Sequence, residues 1–344
     1  MRNLADGQQN QPSSAGSVTT IGAVARAALV ESAQGKVMGV ISQGLFLAFP
    51  SGPVMFLSFE RFRGPLTINI HAGAAIPAGL KTGDPVFVRH QALHFPSTGS
   101  LLSLQPAAIW RAASTEPAQL KRSGLAQRME GLVKRTLSLA GEGERPSLLS
   151  EVEDLLFGGQ AEGLKVQPET DLLRHDLVRL QTSLERFLTP SAEAPSQGGR
   201  AAAGVAAAAD AFLGRGAGLT PSGDDLVLGL VLALSRWETL FWPALPHPFR
   251  SSGLGSPLTA AAARKTTLLS SCLIGCACQG QADERLVSAL DGLMTGAPGL
   301  EACAENLLSW GSSSGRDALA GMVLAVHTGL QGQAARAAAG EGES

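Results

Sequence analysis

Tyrosine is absent from the 344 residues, which removes it from whatever chemistry the chain performs. Histidine occurs six times and cysteine four times, at Cys272, Cys276, Cys278 and Cys303. Zinc-type spacings and the P-loop pattern are missing. No G-x-S-x-G elbow occurs, nor any Ser, His and Asp set in the order of known triads. No apolar run approaches the ~20 residues of a membrane span. The first residues, MRNLADGQQNQPSSAG, lack the apolar core of a secretory signal, so a cytoplasmic location and no membrane partner are expected. The formal charge of −2 excludes a general electrostatic pull toward nucleic acid. The cysteines clustered as CLIGCAC have no histidine near them and lie in an apolar helical run, so they read as core thiols.

What is present is hydrophobic: 44% of the residues, enough for a sizeable core. Short apolar runs punctuated by Gly and Pro fill the first third, among them KVMGVISQGLFLAF, PVMFLSF and LTINIHA. KTGDPVFVRHQALHF reads as a turn followed by a strand. Runs at this spacing predict a small barrel or sandwich. After Thr115 the period changes to that of helices, as in EPAQLKRSGLAQRMEGLVKRTLSLA and ETDLLRHDLVRLQTSLERFL. The predicted class is α+β, a β-rich domain followed by an all-α domain. The expected organisation is a disordered start at 1–17, a β-rich domain at 18–114, a helical domain at 115–332 and a frayed tail at 333–344. A Pro-rich excursion, FWPALPHPFRSSGLGSP, interrupts the helices at 241–257.

One stretch stands apart. Residues 214–225 read GRGAGLTPSGDD and run directly into LVLGLVLAL, nine residues without a polar side chain. The plainer reading is a helix start. Either Thr220 caps it with Pro221 at the first helical position, or Ser222 caps it and Asp225 closes a capping box. That reading leaves Asp224 and the glycines unused, and it ignores a second copy. SGDDLVLGLVLAL (222–234) aligns without a gap on SGRDALAGMVLAV (314–326), with seven of thirteen positions identical. Ser222, Gly223, Asp225 and Gly229 correspond to Ser314, Gly315, Asp317 and Gly321, while Asp224 is replaced by Arg316.

Two buried helices, each entered through S-G-x-D, are therefore expected to lie near each other with their N-termini on one side. Glycine turns leading into helix N-termini suit anions. The candidate anion-binding residues are Gly216, Gly218, Thr220, Ser222, Gly223, Ser314 and Gly315. Arg264 and Thr267, at i and i+3 in ARKTT, form a further anion-facing pair. The candidate catalytic residues are Asp224, Asp225, Asp317 and Arg316, with Asp224 the more accessible carboxylate. No cofactor is called for, and the metal ligands are left unassigned. The carboxylates could instead hold Mg²⁺ or a similar cation that bridges to an anion. His71, His90 and His94 read as strand or loop residues, His175 as exposed, and His327 as the end of the second repeat helix.

The long motif from Gly214 to Asp225 resembles the signature of the AllH-type family, one of the components of oxamate carbamoyltransferase. GSSSGRDALAG (311–321), RKTT and GKVMGVISQGLFLAF resemble further segments of that family. The resemblance covers about residues 20–330; the N-terminal extension, the 241–257 excursion and the Ala/Gly tail look additional. It implies a role in anaerobic allantoin breakdown, interconverting oxalurate and phosphate with oxamate and carbamoyl phosphate. It also implies two other subunit types as partners and small anionic substrates. The alternatives are a non-catalytic scaffold subunit of the same complex, and a free-standing Mg²⁺-dependent hydrolase or transferase.

Overall fold

The computed structural model describes residues 16–30, 33–50, 52–71, 79–141, 146–158, 168–189, 197–242 and 248–340. Residues 1–15 of the expected disordered start, residues 243–247 of the Pro-rich excursion and residues 341–344 of the tail lie outside them. The chain divides into two compact units, 1–111 and 112–344.

The first unit contains β1 (Gly16–Gly22), α1 (Ala23–Ala28), β2 (Gln34–Ile41), β3 (Gly44–Ala48), β4 (Val54–Ser58), β5 (Thr67–Ile70), β6 (Pro85–Arg89), β7 (Ala92–Phe95), β8 (Ser100–Ser103) and β9 (Ala108–Trp110). The sheet order is β5-β4-β3-β2-β6-β7-β8-β1-β9, and β1 also pairs with β5. That extra pairing closes eight strands into a ring. β1 pairs in parallel with β8 through Gly16 and Ser17, then with β9 through Thr20, Ile21 and Gly22. The expected barrel or sandwich is thus a barrel, which leaves no open edge within the ring.

Alternation along the strands fills its interior. Leu45 and Leu47 of β3, Met55 and Leu57 of β4, and Val86 and Val88 of β6 point inward and are buried. Between them Phe46 and Phe56 stand opposite one another, their rings 4.8 Å apart. KTGDPVFVRHQALHF is two strands rather than one. β6 and β7 pair antiparallel around His90 and Gln91, both at positive φ, 50° and 57°. A two-residue hairpin with both central φ positive normally advertises itself with Asn-Gly; here non-glycine residues carry it, and the turn signal is missing from the sequence.

The second unit is helical. Among the described residues it holds α2 (Leu125–Ala140), α3 (Leu148–Leu156), α4 (Pro168–Leu188), α5 (Gln197–Ala209), α6 (Ser222–Arg236), α7 (Glu238–Phe241), α8 (Pro248–Ser251), α9 (Gly255–Lys265), α10 (Leu268–Ala277), α11 (Glu284–Thr295), α12 (Leu300–Leu308) and α13 (Ser314–Gly340). The two motif helices are α6 and α13. α6 is apolar on every side because it is enclosed on every side: Leu226 through Leu234 are all buried. In α13 the run from Ala318 to Val326 is equally enclosed. His327 lies in the middle of α13 rather than at its end, half-buried and edge-on to Phe157 at 5.9 Å. None of the described helices is long and apolar enough to cross a membrane.

Candidate functional site

Two glycines set the distance between the motif helices. A Cβ on Gly229 of α6 would fall 1.8 Å from the Ala318 carbonyl oxygen of α13, and one on Gly321 would fall 1.9 Å from the Leu226 carbonyl oxygen of α6. Leu226 and Ala318 are themselves equivalent positions of the repeat. Each helix therefore offers the other the same contact, an approximate two-fold relation inside one chain.

The relation extends back into the turns before the helices. In the first copy the Arg215 N–H donates to the Phe212 carbonyl at 2.9 Å, and the Gly223 N–H donates to the Arg215 carbonyl at 2.9 Å. In the second the Trp310 N–H donates to Leu307 O at 3.0 Å and the Gly315 N–H to Trp310 O at 3.0 Å. A Cβ at Gly223 would strike Phe212 O, and one at Gly315 would strike Leu307 O. The repeat thus reaches to Phe212 and Leu307. The first copy has a longer lead, in which Gly214, Gly216 and Gly218 all take positive φ. Gly216 and Gly218 are exposed.

This geometry corrects part of the sequence reading. The Gly223 and Gly315 amides are consumed by backbone carbonyls, so they are not free to hold an anion. Neither capping scheme occurs. Pro221 is the N-cap residue of α6, and its carbonyl accepts from the Asp224 and Asp225 N–H groups. Thr220 turns instead toward the other copy, where its hydroxyl lies 3.0 Å from the Ser314 hydroxyl. Arg264 and Thr267 do not share a helix. The extended backbone at Thr266 separates them: Arg264 is exposed in the last turn of α9, and Thr267 caps α10 by accepting from the Ser270 N–H. The adjacent β-branched threonines favour that break.

Asp224 is not the accessible carboxylate; it is 1% exposed. It accepts from the Gly214 N–H at 2.7 Å and from the Thr266 hydroxyl, tying the glycine lead and the α9–α10 break to the first turn of α6. Arg316, its counterpart, is also buried and donates through Nη2 to the Ser312 carbonyl at 3.0 Å. The lead is held from outside as well, by Arg215 paired with Asp176 of α4 at 3.1 Å. Sequence reasoning missed Thr266, Asp176 and the Leu148 N–H, which donates to Asp317 Oδ1 at 2.7 Å across 169 residues. The contact from Leu148 is made by backbone, so no residue type could have signalled it.

Asp225 and Asp317 are 1% and 0% exposed, and each has a buried Oδ2 with no hydrogen-bond partner among the described residues. Burial pushes the Asp225 carboxyl well above the ordinary value of 3.8; the Ser314 and Thr220 hydroxyls oppose this, and the charges of Asp317 and Asp224 add to it. Burial also raises Asp317, against the Leu148 N–H, the Ser222 and Ser313 hydroxyls and the Arg316 charge. The hydroxyl partners are exchanged between copies: Asp225 feels the Ser314 of the other motif, and Asp317 feels Ser222. Recurrence of Ser and Asp together is thereby explained, since each serves its opposite number.

These shifts give stability a pH dependence. A carboxyl raised in the folded state contributes stability below its unfolded value, and that contribution is lost as pH rises through the folded value. In metal-free protein the helical unit is expected to lose stability as pH rises from about 4 toward neutrality, and Asp225→Asn, which keeps the shape and removes the charge, to flatten that fall. Urea midpoints measured across that range check it; an unchanged slope in the variant excludes Asp225 as the group responsible.

The cysteines occupy the second unit as free thiols, Cys276 and Cys303 buried and Cys272 and Cys278 half-buried. Burial pushes Cys276 and Cys278 up to about 12 and Cys303 to about 11. Among the described residues no group of three or more His, Cys, Asp or Glu side chains is arranged to hold a metal ion.

Residues 212–326 match the family model of oxamate carbamoyltransferase subunit AllH, the family whose motifs the sequence resembles. No curated protein and no solved structure matches the chain.

Proposed function

We propose that this chain is a subunit of an oxamate carbamoyltransferase complex, with its substrate-facing part at the mouth of the paired motif helices. One observation carries the reading. The matched family segment begins at Phe212 and ends at Val326, and so spans the duplicated helix starts described above. The part of this chain that the family model describes includes both motif helices up to Val326, with α7 to α12 between them.

The reaction converts oxalurate and phosphate into oxamate and carbamoyl phosphate. A phosphate oxygen bonds to the carbamoyl carbon, the bond from that carbon to the oxamate nitrogen breaks, and the nitrogen takes up a proton. Both reactants are anions, so holding them in line is the main task. Exposed Gly216, Gly218 and Ser312 and half-buried Thr220, Ser222 and Ser313 lie at the starts of the two helices, and buried Arg316 carries positive charge in the first turn of α13. That charge would stabilise the negative charge developing on the transferring group. The partners are two further subunit types, and the substrates are small anions.

A second reading has its own support. Asp224 and the amides of Gly223 and Gly315 are spent on internal bonds, as a scaffold subunit would require. Asp225→Asn and Asp317→Asn separate the two. In a reconstituted complex of normal composition, turnover is expected to fall roughly 100-fold, the scale at which loss of a charge-organising group is felt. Undiminished turnover in correctly assembled complex would move the chemistry to another chain and leave the scaffold reading.

A further inference from the structure

We infer that the two motif helices together form a binding site for one divalent metal ion, of the Mg²⁺ or Mn²⁺ type, with Asp225 and Asp317 as its charged ligands and Ser222, Ser314 and Thr220 as neutral ones. The argument starts from what these groups lack. Burying a carboxylate is costly unless it is paired or coordinates a metal. Asp224 meets that requirement with two donors. Asp225 and Asp317, almost wholly enclosed, each leave Oδ2 without a partner. The cationic side chain on the same turn, Arg316, sends its Nη2 to the Ser312 carbonyl.

Two demands converge on one answer. The Arg316 charge acts on Asp317 and offsets one carboxylate, so the pair still needs a cation or a proton for the other. The donors around them are hydroxyl and carboxylate oxygens without sulfur or imidazole, which selects hard cations over zinc or copper. Mg²⁺ keeps several waters and takes one or two carboxylates beside its substrate's oxygens, which fits two aspartates at a mouth. Of the five ligands Thr220 and Ser222 are half-buried, and Ser314, Asp225 and Asp317 are buried. Each copy of the repeat supplies one carboxylate and one serine, so the same arrangement accounts for S-G-x-D occurring twice.

The test uses the full chain alone, stripped with chelator, without substrate or partner subunits. Mn²⁺ is titrated at neutral pH, and the loss of the free-ion electron paramagnetic resonance signal counts bound metal. One Mn²⁺ per chain, displaced by Mg²⁺, is the expected result. Folded Asp225→Asn and Asp317→Asn are each expected to weaken binding at least about 10-fold, since even an outer-shell partner typically costs that much. Absence of bound Mn²⁺ in the wild type, or unaltered binding in both folded variants, overturns the site. Where the variants do not fold, the wild type decides. Mg²⁺ is expected to raise the thermal midpoint of the wild type at neutral pH. No rise at neutral pH overturns it. Because no turnover is measured, failure here leaves the carbamoyltransferase reading standing, and the reverse also holds.

Discussion

Gly321→Ala is expected to destabilise the helical unit by at least about 3 kcal/mol, the upper end of what overpacking a buried site costs. The new carbon would lie 1.9 Å from the Leu226 carbonyl oxygen and 2.6 Å from the Leu230 amide nitrogen. Carbon and carbonyl oxygen rest about 3.3 Å apart at their closest favourable contact. Both obstacles are backbone, so no rotamer change relieves them. The helices must separate by more than about 1 Å, and dense cores transmit such a shift to every neighbour. Gly229→Ala meets Ala318 O at 1.8 Å and is expected to behave alike. The double variant should cost less than the sum, because the first separation makes room for the second. Gly275→Ala is the control: it lies in α10 with nothing within 4 Å of a new Cβ, and helix propensity makes it neutral or favourable by up to about 1 kcal/mol. Urea unfolding followed by helical circular dichroism compares them. If Gly321→Ala is as stable as Gly275→Ala, the close crossing of α6 and α13 is wrong.

Arg236→Ala is expected to cost about 3 kcal/mol or more, the scale for removing one partner of a buried ion pair. Arg236 closes the C-terminal end of α6. Its Nε and Nη2 donate to the two carboxylate oxygens of Asp291 at 2.8 and 2.7 Å, and Nη2 and Nη1 also reach the Ala113 and Gly280 carbonyls. The Arg236 side chain is 5% exposed and Asp291 26%, so solvent repays only part of the loss. The Trp237 indole N–H, also on Asp291, would then be its remaining donor in this group. Arg236→Lys keeps the charge but not the fork, and should recover less than half of the loss. Thermal melts of the three proteins check the order. A lysine variant as stable as wild type would mean that the charge alone, rather than the paired bonds, holds this corner.

Much of this was legible in the sequence. Short apolar runs punctuated by Gly and Pro marked the strands, and the change of period after Thr115 marked the helices. The gapless repeat of S-G-x-D, with Gly229 matched by Gly321, announced two helices lying near each other. Other features were hidden for physical reasons. The hairpin at His90 and Gln91 lacks the Asn-Gly or Asp-Gly pair that usually marks such a turn. Asp224 takes its role from a backbone amide ten residues back and from Thr266, 42 residues on. The exchange of serine and aspartate between copies is a contact across a repeat, invisible to any local pattern. The expectation of free amides at Gly223 and Gly315 failed because each turn supplies a backbone carbonyl to its own helix start.

The near-two-fold pairing of α6 and α13 has one more consequence. Were the two halves separate identical chains meeting face to face, any change at one position would be made at its mate as well. Joined in a single chain, the halves can diverge independently. The third position of the motif shows the result: aspartate on one side fastens the longer glycine lead, while arginine on the other donates to the Ser312 carbonyl of the shorter one. A matched pair of chains would have had to carry the same residue at both. Linkage in one chain is what permits two differently built turns on an otherwise even-handed frame.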